Sequence, residues 1–326
     1  MSKKISVSKA IGEAMHEEME KDKNVIIMGE DMGVMGNVFG ITKGFRDEFG
    51  ADRVYDTPIS ESGFCGMAVG AAMRGMRPIV ELMYNDFMTV CADPILNQAA
   101  KMRYMTGGQV EVPVVFRMPM GAGRRNASQH SQCLEAYFCH MPGLKVIAPC
   151  TATDAKGLLK SAIRDNDPVI FMEHKLLYAH KEEIPDGEYT IPIGVADVKR
   201  EGTDVSIITW SREVDFSLEA AEELAKEGIN VEVLDLRTLV PLDWDAIVKT
   251  VSKTHHAIIV SEEVKRGSYA GELSAQIAED LLDELDAPVE RVCGLNITSP
   301  FSPTLEDVNF PHPADIVKAV KHVLNK

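Results

Sequence analysis

The sequence predicts an α/β protein with two domains, each formed around a mainly parallel sheet. Short apolar stretches typical of buried strands alternate with longer stretches of helical periodicity. Strands separated by helices of about ten or more residues are typical of parallel sheets with helices on both faces. A chain of 326 residues, 45% of them hydrophobic, is long enough for two domains with buried cores.

The first predicted domain begins with a helix over Ser8–Glu20, because Ile11, Met15 and Met19 recur at a spacing typical of one helix face. The apolar stretch Val25–Met28 then predicts a buried strand. The same alternation predicts further strands at Arg53–Asp56, Pro78–Met83, Val112–Met118, Leu144–Ala148 and Val169–Met172. Between them it predicts helices over Phe64–Met73, Ala92–Met105, His130–His140 and Asp154–Arg164.

A domain boundary is expected in the turn-rich segment between residues 184 and 203, which includes Pro185-Asp186-Gly187. We assign residues 1–190 to the first domain, 191–203 to a linker and 204–326 to a smaller second domain. In the second domain the alternation predicts strands at Val205–Thr209, Asn230–Asp235 and Ala257–Ser261. Its predicted helices are Ser217–Glu227, Trp244–Lys253, Gly271–Leu285 and a last helix from Ala314.

The composition argues against several classes of protein. The formal net charge is −16, and no dense Lys/Arg block with interleaved aromatics occurs, which argues against nucleic-acid binding. No apolar stretch of signal-peptide or membrane-spanning length is present, and no mitochondrial-type targeting segment, so a soluble cytoplasmic protein is expected. Six scattered cysteines without a C-x-x-C pair are typical of reduced thiols.

The common phosphate and nucleophile motifs are absent or incomplete. Gly121-Ala122-Gly123 follows a predicted strand, but Asn126 stands where a dinucleotide fingerprint needs its third glycine. The sequence has no Walker loop and no G-x-S-x-G elbow. His174 and His180 are not paired with carboxylates at helical spacing, and His255-His256 opens an apolar strand, which favours structural or surface roles for these histidines.

Three polar segments follow predicted strands, at the edge where ligands bind in open parallel sheets. Asp56–Phe64 places Glu61 near a helix start, where Ser60 or Ser62 as a cap is the alternative interpretation. Met83–Met88 contains Phe87, for which a place in the core is the alternative. The glycine-rich loop before Ala127–Gln132 brings His130 to a predicted helix start, and a capped helix behind a solvated loop is an equal alternative.

Taken together, these segments resemble the beta subunits of pyruvate, branched-chain 2-oxo acid and acetoin dehydrogenases, in the transketolase-like superfamily of thiamin enzymes. The likeness runs nearly end to end. It is strongest at Met28–Asp31, Asp56–Gly63, Ala68–Met73, Arg77–Glu81, Gln129–Gln132, Pro142–Val146, Asp154–Leu159, Ala162–Asp165 and Asp235–Thr238. The resemblance implies a parallel-sheet, pyrimidine-type thiamin-binding domain followed by a smaller domain of the transketolase C-terminal type.

The resemblance also implies roles for four side chains. Glu61 matches the carboxylate that hydrogen-bonds the aminopyrimidine ring of thiamin diphosphate and promotes its imino tautomer. Phe87 matches an aromatic that packs on that ring, and Glu30 is expected among the cofactor-binding residues. His130 corresponds to an active-site histidine that stabilises or shuttles charge during transfer to a lipoyl group.

A structural potassium ion is a further expectation from the resemblance. Its ligands would come from Val114, Ala162, Ile163, Asp165 and Asp167. Asp167 departs from several relatives, which carry asparagine there, and it would add negative charge to the site.

One absence predicts a partner. Thiamin enzymes hold magnesium and diphosphate with a Gly-Asp-Gly segment followed about thirty residues later by asparagine, and this sequence has no Gly-Asp-Gly. The resemblance therefore implies an alpha subunit that supplies the Mg²⁺ and diphosphate half of the site, in an α2β2 heterotetramer. A self-contained transketolase-like enzyme is the alternative that this absence disfavours.

The acidic segment Ala270–Glu290 holds seven Asp/Glu and no Lys/Arg. In relatives the second domain docks a basic domain of a lipoyl-bearing acyltransferase, which such a surface would attract, although an ordinary solvated helix is an equal alternative. The segment Asp165–Phe171 with Glu173–Tyr178 looks more like acetoin dehydrogenase beta chains than pyruvate ones. We expect acetoin as substrate, with pyruvate next; a branched-chain 2-oxo acid subunit or a non-catalytic scaffold is the alternative.

Overall fold

The computed structural model describes residues 3–326 and divides the chain into two compact units. The first unit combines the chain up to Met120 with Tyr137–Ile193, and the second combines Gly121–Ala136 with Gly194–Lys326. Among residues 3–326 no helix is long and apolar enough to span a membrane.

Six of the eight strands that the structure describes in the first unit match predicted apolar stretches, and two, at residues 3–6 and 181–184, were not predicted. The eight strands are β1 (Lys3–Ser6), β2 (Val25–Gly29), β3 (Val54–Asp56), β4 (Arg77–Glu81), β5 (Val115–Met120), β6 (Lys145–Ile147), β7 (Val169–His174) and β8 (Lys181–Ile184). Six of them form parallel pairs in the order β6-β7-β5-β4-β2-β3, while β1 and β8 form an antiparallel pair. The expected parallel sheet is therefore confirmed.

Helices in this half of the chain connect the parallel strands. They are α1 (Val7–Lys21), α2 (Phe45–Phe49), α3 (Glu61–Ala72), α4 (Ala100–Met105), α5 (Glu135–Cys139) and α6 (Ala152–Arg164). Short 3-10 turns occur at Asn85–Thr89 and Leu177–Ala179, and a π-helical stretch, Asp93–Ala99, leads into α4. The side chain of Ser6 caps α1 by accepting from the amide of Lys9, as N-cap serines typically do.

The second unit is also α/β. Its strands are β9 (Asp197–Arg200), β10 (Val205–Thr209), β11 (Val231–Asp235), β12 (Thr238–Val240), β13 (Ala257–Val264) and β14 (Glu290–Gly294). Five pair in the order β14-β13-β10-β11-β9, with β9 antiparallel and the others parallel. Its helices are α7 (Glu213–Ala225), α8 (Trp244–Thr254), α9 (Tyr269–Asp280), α10 (Pro303–Asp307) and α11 (Pro313–Val323), with a 3-10 turn at Leu282–Glu284.

Two sequence expectations differ from the structure. The helix expected over His130–His140 forms only as α5, because the preceding chain closes into a loop in which the Gly121 amide donates to the Gln132 carbonyl at 3.2 Å. This loop also packs with the second unit, whereas the sequence boundaries placed it within residues 1–190.

Candidate active site

The carboxyl ends of the parallel strands in the first unit carry several polar residues. β2 ends at Gly29 before Glu30, and β4 ends at Glu81. A side chain at Gly29 would place its Cβ 2.9 Å from the carbonyl oxygen of Glu81, so glycine is needed for this close approach. Because parallel strands all end at one edge of the sheet, these carboxylates lie near one another.

Glu61 is the first residue of α3 and is only 8% exposed. The capping alternative is not supported, because the side chain of Ser60 makes no cap hydrogen bond. Ser62 instead donates its hydroxyl to the carbonyl oxygen of Val90, at 2.5 Å. Within residues 3–326 no side chain donates a hydrogen bond to the Glu61 carboxylate, which leaves that carboxylate available to a ligand.

Like charges surround Glu30, which is half-buried beside Glu61 and Glu81. Burial raises the pKa of Glu30, and the carboxylates of Glu61, Asp31 and Glu81 raise it further. A cluster of buried acids with a perturbed pKa at the ligand edge of a sheet is typical of a functional site.

A buried network of ion pairs and hydrogen bonds includes Glu81, the last residue of β4. The guanidinium of Arg117, on β5, contacts Glu81 at 2.7 Å and binds both carboxylate oxygens of Glu173 at 2.7 Å. Tyr178 donates to Glu173, and the side-chain amide of Asn37 donates to both oxygens of Glu81 at 2.9 and 2.8 Å. Burial raises the pKa of Glu81, while Arg117 opposes that effect. The network joins the middle of β5 to the ends of β4 and β7.

Phe87 lies on the 3-10 turn Asn85–Thr89 and is half-buried. One hydrogen bond connects the chain just after Phe87 with α3, from the Ser62 hydroxyl to the carbonyl oxygen of Val90, and the nearby Cys91 thiol donates to the carbonyl oxygen of Phe87 itself at 3.5 Å. The structure therefore connects the start of α3, with Glu61, to the segment that carries Phe87.

Sequence reasoning gave no individual role to Lys175, which is fully buried just after β7. Its ammonium group lies 4.6 Å from the centre of the Tyr84 ring, within the range of a cation–π contact. The Tyr84 ring in turn makes an edge contact with Phe39 at 6.3 Å. The available signal was a lysine between a predicted apolar strand and the apolar residues Leu176 and Leu177, since lysine is rarely buried without a specific partner.

His130 belongs to the second unit, where it lies at a bend rather than at a helix start. It is half-buried within the histidine loop, our name for residues 121–134, which precede α5. Of the predicted catalytic and cofactor residues, Glu30, Glu61 and Phe87 lie in the first unit, and Glu30 and Glu61 are close enough to interact electrostatically.

Buried carboxyl groups follow the histidine loop in the second unit. Glu135 accepts a hydrogen bond from the indole of Trp210 at 3.2 Å, and burial raises its pKa to about 7. Glu263 accepts from the amides of Ala136 and Tyr269, each at 3.0 Å, and its pKa is raised well above the usual range by burial and by Glu135. The sequence gave no indication of these groups.

The oxygens expected to bind potassium already have partners. Arg77 donates to the carbonyl oxygens of Ile163 and Asp165 at 2.9 and 2.8 Å, and the Val114 carbonyl accepts from the Val169 amide. A carbonyl oxygen has a second lone pair, so these bonds leave room for a cation ligand.

The carboxylate of Asp167 lies between two cations. It pairs with Arg103 and lies 3.2 Å from Lys145, which also binds Asp165 at 2.6 Å. Although burial raises the pKa of Asp167, these hydrogen bonds lower it below its usual value. The extra charge of Asp167 is thus neutralised by the chain itself.

Two family models match the chain. The transketolase pyrimidine binding domain matches residues 3–181, and the transketolase C-terminal domain matches residues 194–316. A solved chain titled a split gene transketolase, in an inactive beta4 tetramer, superposes with a TM-score of 0.79 over 98% of each chain. Its 22% sequence identity supports the fold alone.

Curated relatives are similar over nearly their whole length. The beta subunit of acetoin:2,6-dichlorophenolindophenol oxidoreductase from Cupriavidus necator is 50% identical over 99% of this chain and 98% of its own. The 2-oxoisovalerate dehydrogenase beta subunit from Bacillus subtilis is 46% identical over 96% and 97%. A mitochondrial pyruvate dehydrogenase E1 beta subunit from Arabidopsis thaliana is 46% identical over 98% and 89%.

Proposed function

Because the chain belongs to the beta subunits of the thiamin-dependent 2-oxo acid and acetoin dehydrogenases, we propose that it forms the pyrimidine half of an acetoin-cleaving active site. The observation that carries this proposal is the buried carboxylate of Glu61, which begins α3 beside Glu30 and has no donor among the described residues. A buried carboxylate of this kind fits the ring nitrogen of an aminopyrimidine.

Glu61 would hold a proton on the pyrimidine ring nitrogen and so favour the imino form. Thiamin diphosphate supplies a thiazolium carbon that becomes the nucleophile when its proton is removed. Glu30 lies beside Glu61, and its own pKa is raised by burial and by the carboxylates of Glu61, Asp31 and Glu81. Phe87 would pack on the ring and fix its orientation.

His130 would act later, during transfer of the acetyl fragment to lipoamide. Imidazole groups commonly act as general acids or bases in active sites, which suits charge that develops as the acyl group is transferred. His130→Ala should therefore reduce lipoamide-dependent turnover more than turnover with 2,6-dichlorophenolindophenol, the artificial acceptor in the name of one relative. Equal losses in both assays would contradict this role.

Acetoin is the proposed substrate, and the names of relatives support it. The Cupriavidus necator acetoin relative is 50% identical, against 46% for the 2-oxoisovalerate relative and 48% for a pyruvate dehydrogenase E1 beta subunit from Porphyra purpurea. The test compares acetoin, pyruvate and 2-oxoisovalerate in the reconstituted alpha–beta assembly, as ratios of kcat/KM. A higher ratio for pyruvate would change the substrate while leaving the family assignment intact.

An alpha subunit is the proposed source of the magnesium and diphosphate ligands. The chain has no Gly-Asp-Gly segment, and its identified ligand edge carries carboxylates, which repel a diphosphate. We infer an α2β2 heterotetramer, which sedimentation analysis of the co-expressed chains would test. A stable beta-only assembly with full activity would contradict it.

The acyltransferase core is the proposed second partner, through the acidic surface of α9 and the turn after it. Glu272, Glu279, Asp280 and Asp283 are exposed there, with Leu282 67% exposed between them. Binding of a basic domain to this surface should weaken steeply as salt increases. Calorimetry with the core at low and high salt, using Asp280→Lys with Asp283→Lys, checks the location. Unchanged binding by this variant would place the contact elsewhere.

Potassium binding is proposed at the carbonyl oxygens of Val114, Ala162, Ile163, Asp165 and Asp167. Arg103 and Lys145 pair with the carboxylate of Asp167, and Lys145 also pairs with that of Asp165. Because these carboxylates already have cationic partners, the carbonyl oxygens are the proposed potassium ligands. Unfolding temperature in KCl should exceed that in choline chloride at equal ionic strength, for the parent protein and for Asp167→Asn. Equal unfolding temperatures in the two salts would contradict the proposed potassium site.

A further inference from the structure

The histidine loop has an unusual backbone. Every second residue from Gly121 to Ala127 has a left-handed φ: 89° at Gly121, 91° at Gly123, 60° at Arg125 and 61° at Ala127. Arginine and alanine rarely adopt this conformation, because the side chain then crowds the carbonyl oxygen. The surrounding structure must therefore hold the loop in this form.

Two carboxylates bind consecutive amides of this loop. Glu262 accepts from the Ala122 amide at 2.6 Å, and Glu306 accepts from the Gly123 amide at 3.0 Å. When residues of right-handed and left-handed φ alternate, successive backbone N–H groups point toward one concave face. Such a face binds anions. Here the anions are side chains of the same unit.

Glu306 is fully buried and binds the loop at two residues. One of its oxygens accepts from Gly123, and the other accepts from the guanidinium of Arg125 at 2.5 Å. Arg125 also binds Asp307 at 2.9 Å, and its pKa is raised by the hydrogen bonds with Glu306 and Asp307. Glu306 therefore holds two alternate residues of the strained segment at once.

A second contact extends the attachment toward His130. The Ser128 hydroxyl donates to the carbonyl oxygen of Ser299 at 3.0 Å, two residues before the histidine. We propose that Glu306 is a positioning residue for His130, which it holds in place by fixing the loop through Gly123 and Arg125. This proposal rests on the role proposed above for His130, and its test separates the two.

Glu306→Gln is the informative variant. Both oxygens of Glu306 accept from donors, whereas glutamine has one oxygen and its NH₂ group would face the other donor. In the alpha–beta assembly, lipoamide-dependent turnover should fall by about 10-fold to 100-fold, the scale of a misplaced catalytic group, while turnover with dichlorophenolindophenol stays within about twofold. Glu222→Gln, at an exposed glutamate on α7, is the matched control and should change neither.

A double variant tests whether Glu306 acts through His130. If it does, His130→Ala with Glu306→Gln should transfer acyl groups no more slowly than His130→Ala alone. A further multiplicative loss would overturn the proposal. Arg125→Ala should reproduce the effect of Glu306→Gln by removing the other half of the ion pair.

Hydrogen exchange over residues 121–127 reports on the loop without reference to catalysis. The peptide containing the Ala122 and Gly123 amides should exchange faster in Glu306→Gln than in the parent or in Glu222→Gln. If His130→Ala itself shows no difference between the two acceptors, the role of His130 fails, and faster exchange still supports the attachment. Suppose instead that His130→Ala reduces lipoamide-dependent turnover more than dichlorophenolindophenol turnover. The positioning role is then overturned if Glu306→Gln leaves acyl transfer unchanged, whether or not it speeds hydrogen exchange.

Discussion

Replacing Arg117 by methionine tests the ionic network beneath the candidate site. Arg117 is fully buried and makes three contacts of 2.7 Å with Glu81 and Glu173, whose side chains are 0% and 1% exposed. Removing one partner from such a group leaves the other charges buried and unpaired, which costs about 3–5 kcal/mol. For a domain of roughly 150–250 residues, each kcal/mol lowers Tm by about 2–4 °C, so we expect a decrease of about 6–20 °C.

The decrease should depend on pH, with a sign that follows from Glu81. Burial already raises the pKa of Glu81, and loss of Arg117 removes the charge that opposes this effect. The folded variant then holds a proton that the unfolded chain releases above its ordinary carboxyl pKa, so stability falls as pH rises above about 4.3. The deficit relative to the parent should be larger at pH 8 than at pH 5.5.

Scanning calorimetry of the alpha–beta assembly at both pH values measures this difference. Lys3→Met is the matched control, since Lys3 pairs with Glu13 in the same unit but is 51% exposed. An exposed pair of this kind contributes about 0–1 kcal/mol. If Arg117→Met lowered Tm no more than Lys3→Met, or by the same amount at both pH values, the network would not stabilise the sheet edge as described.

Glu61→Gln should preserve assembly, measured by gel filtration, and lower turnover by about two to four orders of magnitude, the range of acid–base assistance; near-full activity would remove Glu61 from the mechanism. Isolated beta chain should bind thiamin diphosphate weakly in calorimetry, and addition of the alpha subunit should create a tight, Mg²⁺-dependent site. Tight binding by the isolated chain would refute the two-subunit site. Because the pKa of Glu135 is raised to about 7, the parent should lose stability as pH rises from about 4.5 through about 7, whereas Glu135→Gln should lose less. Parallel Tm profiles for the two proteins over this range would contradict that assignment.

Local patterns in the sequence predicted nine of the fourteen strands that the structure describes in residues 3–326. β10 matches its predicted bounds of Val205–Thr209, and β2 and β11 differ from theirs by one residue at one end. Buried parallel strands appear as continuous apolar stretches, so each can be recognised without knowing its neighbours. The position of Glu61 at a helix start followed from the same local reasoning, while its expected contact with thiamin diphosphate remains a prediction.

Long-range partners could not be predicted in this way. Arg117 lies within a predicted apolar strand, and its partners Glu81 and Glu173 are 36 and 56 residues away. Periodicity indicates which face a residue occupies but not which residue of another strand it meets. The charges within apolar stretches were the available signal, because buried ions need partners.

The histidine loop was missed for a different reason. Leu134 and Phe138 have the four-residue spacing of a helix face, but nothing in the local pattern marks where that helix begins, and the prediction started it five residues too early, at His130. The carboxylates that bind the loop amides come from Glu262 and Glu306, more than a hundred residues later in the chain. Arginine and alanine give no local sign of a left-handed backbone, so only the folded unit reveals it.

The second unit takes Gly121–Ala136 from the middle of the sequence that forms the first. A recombination event near residue 193 that exchanged the C-terminal halves of two related genes would therefore divide one folding unit between two parents. In the hybrid, the histidine loop would come from one parent, and Glu262 and Glu306, which bind its amides, would come from the other. Arg125 and Glu306 must then be inherited together, although 181 positions separate them. Such a hybrid would keep this ion pair only when one parent supplies arginine at position 125 and the other supplies glutamate at position 306.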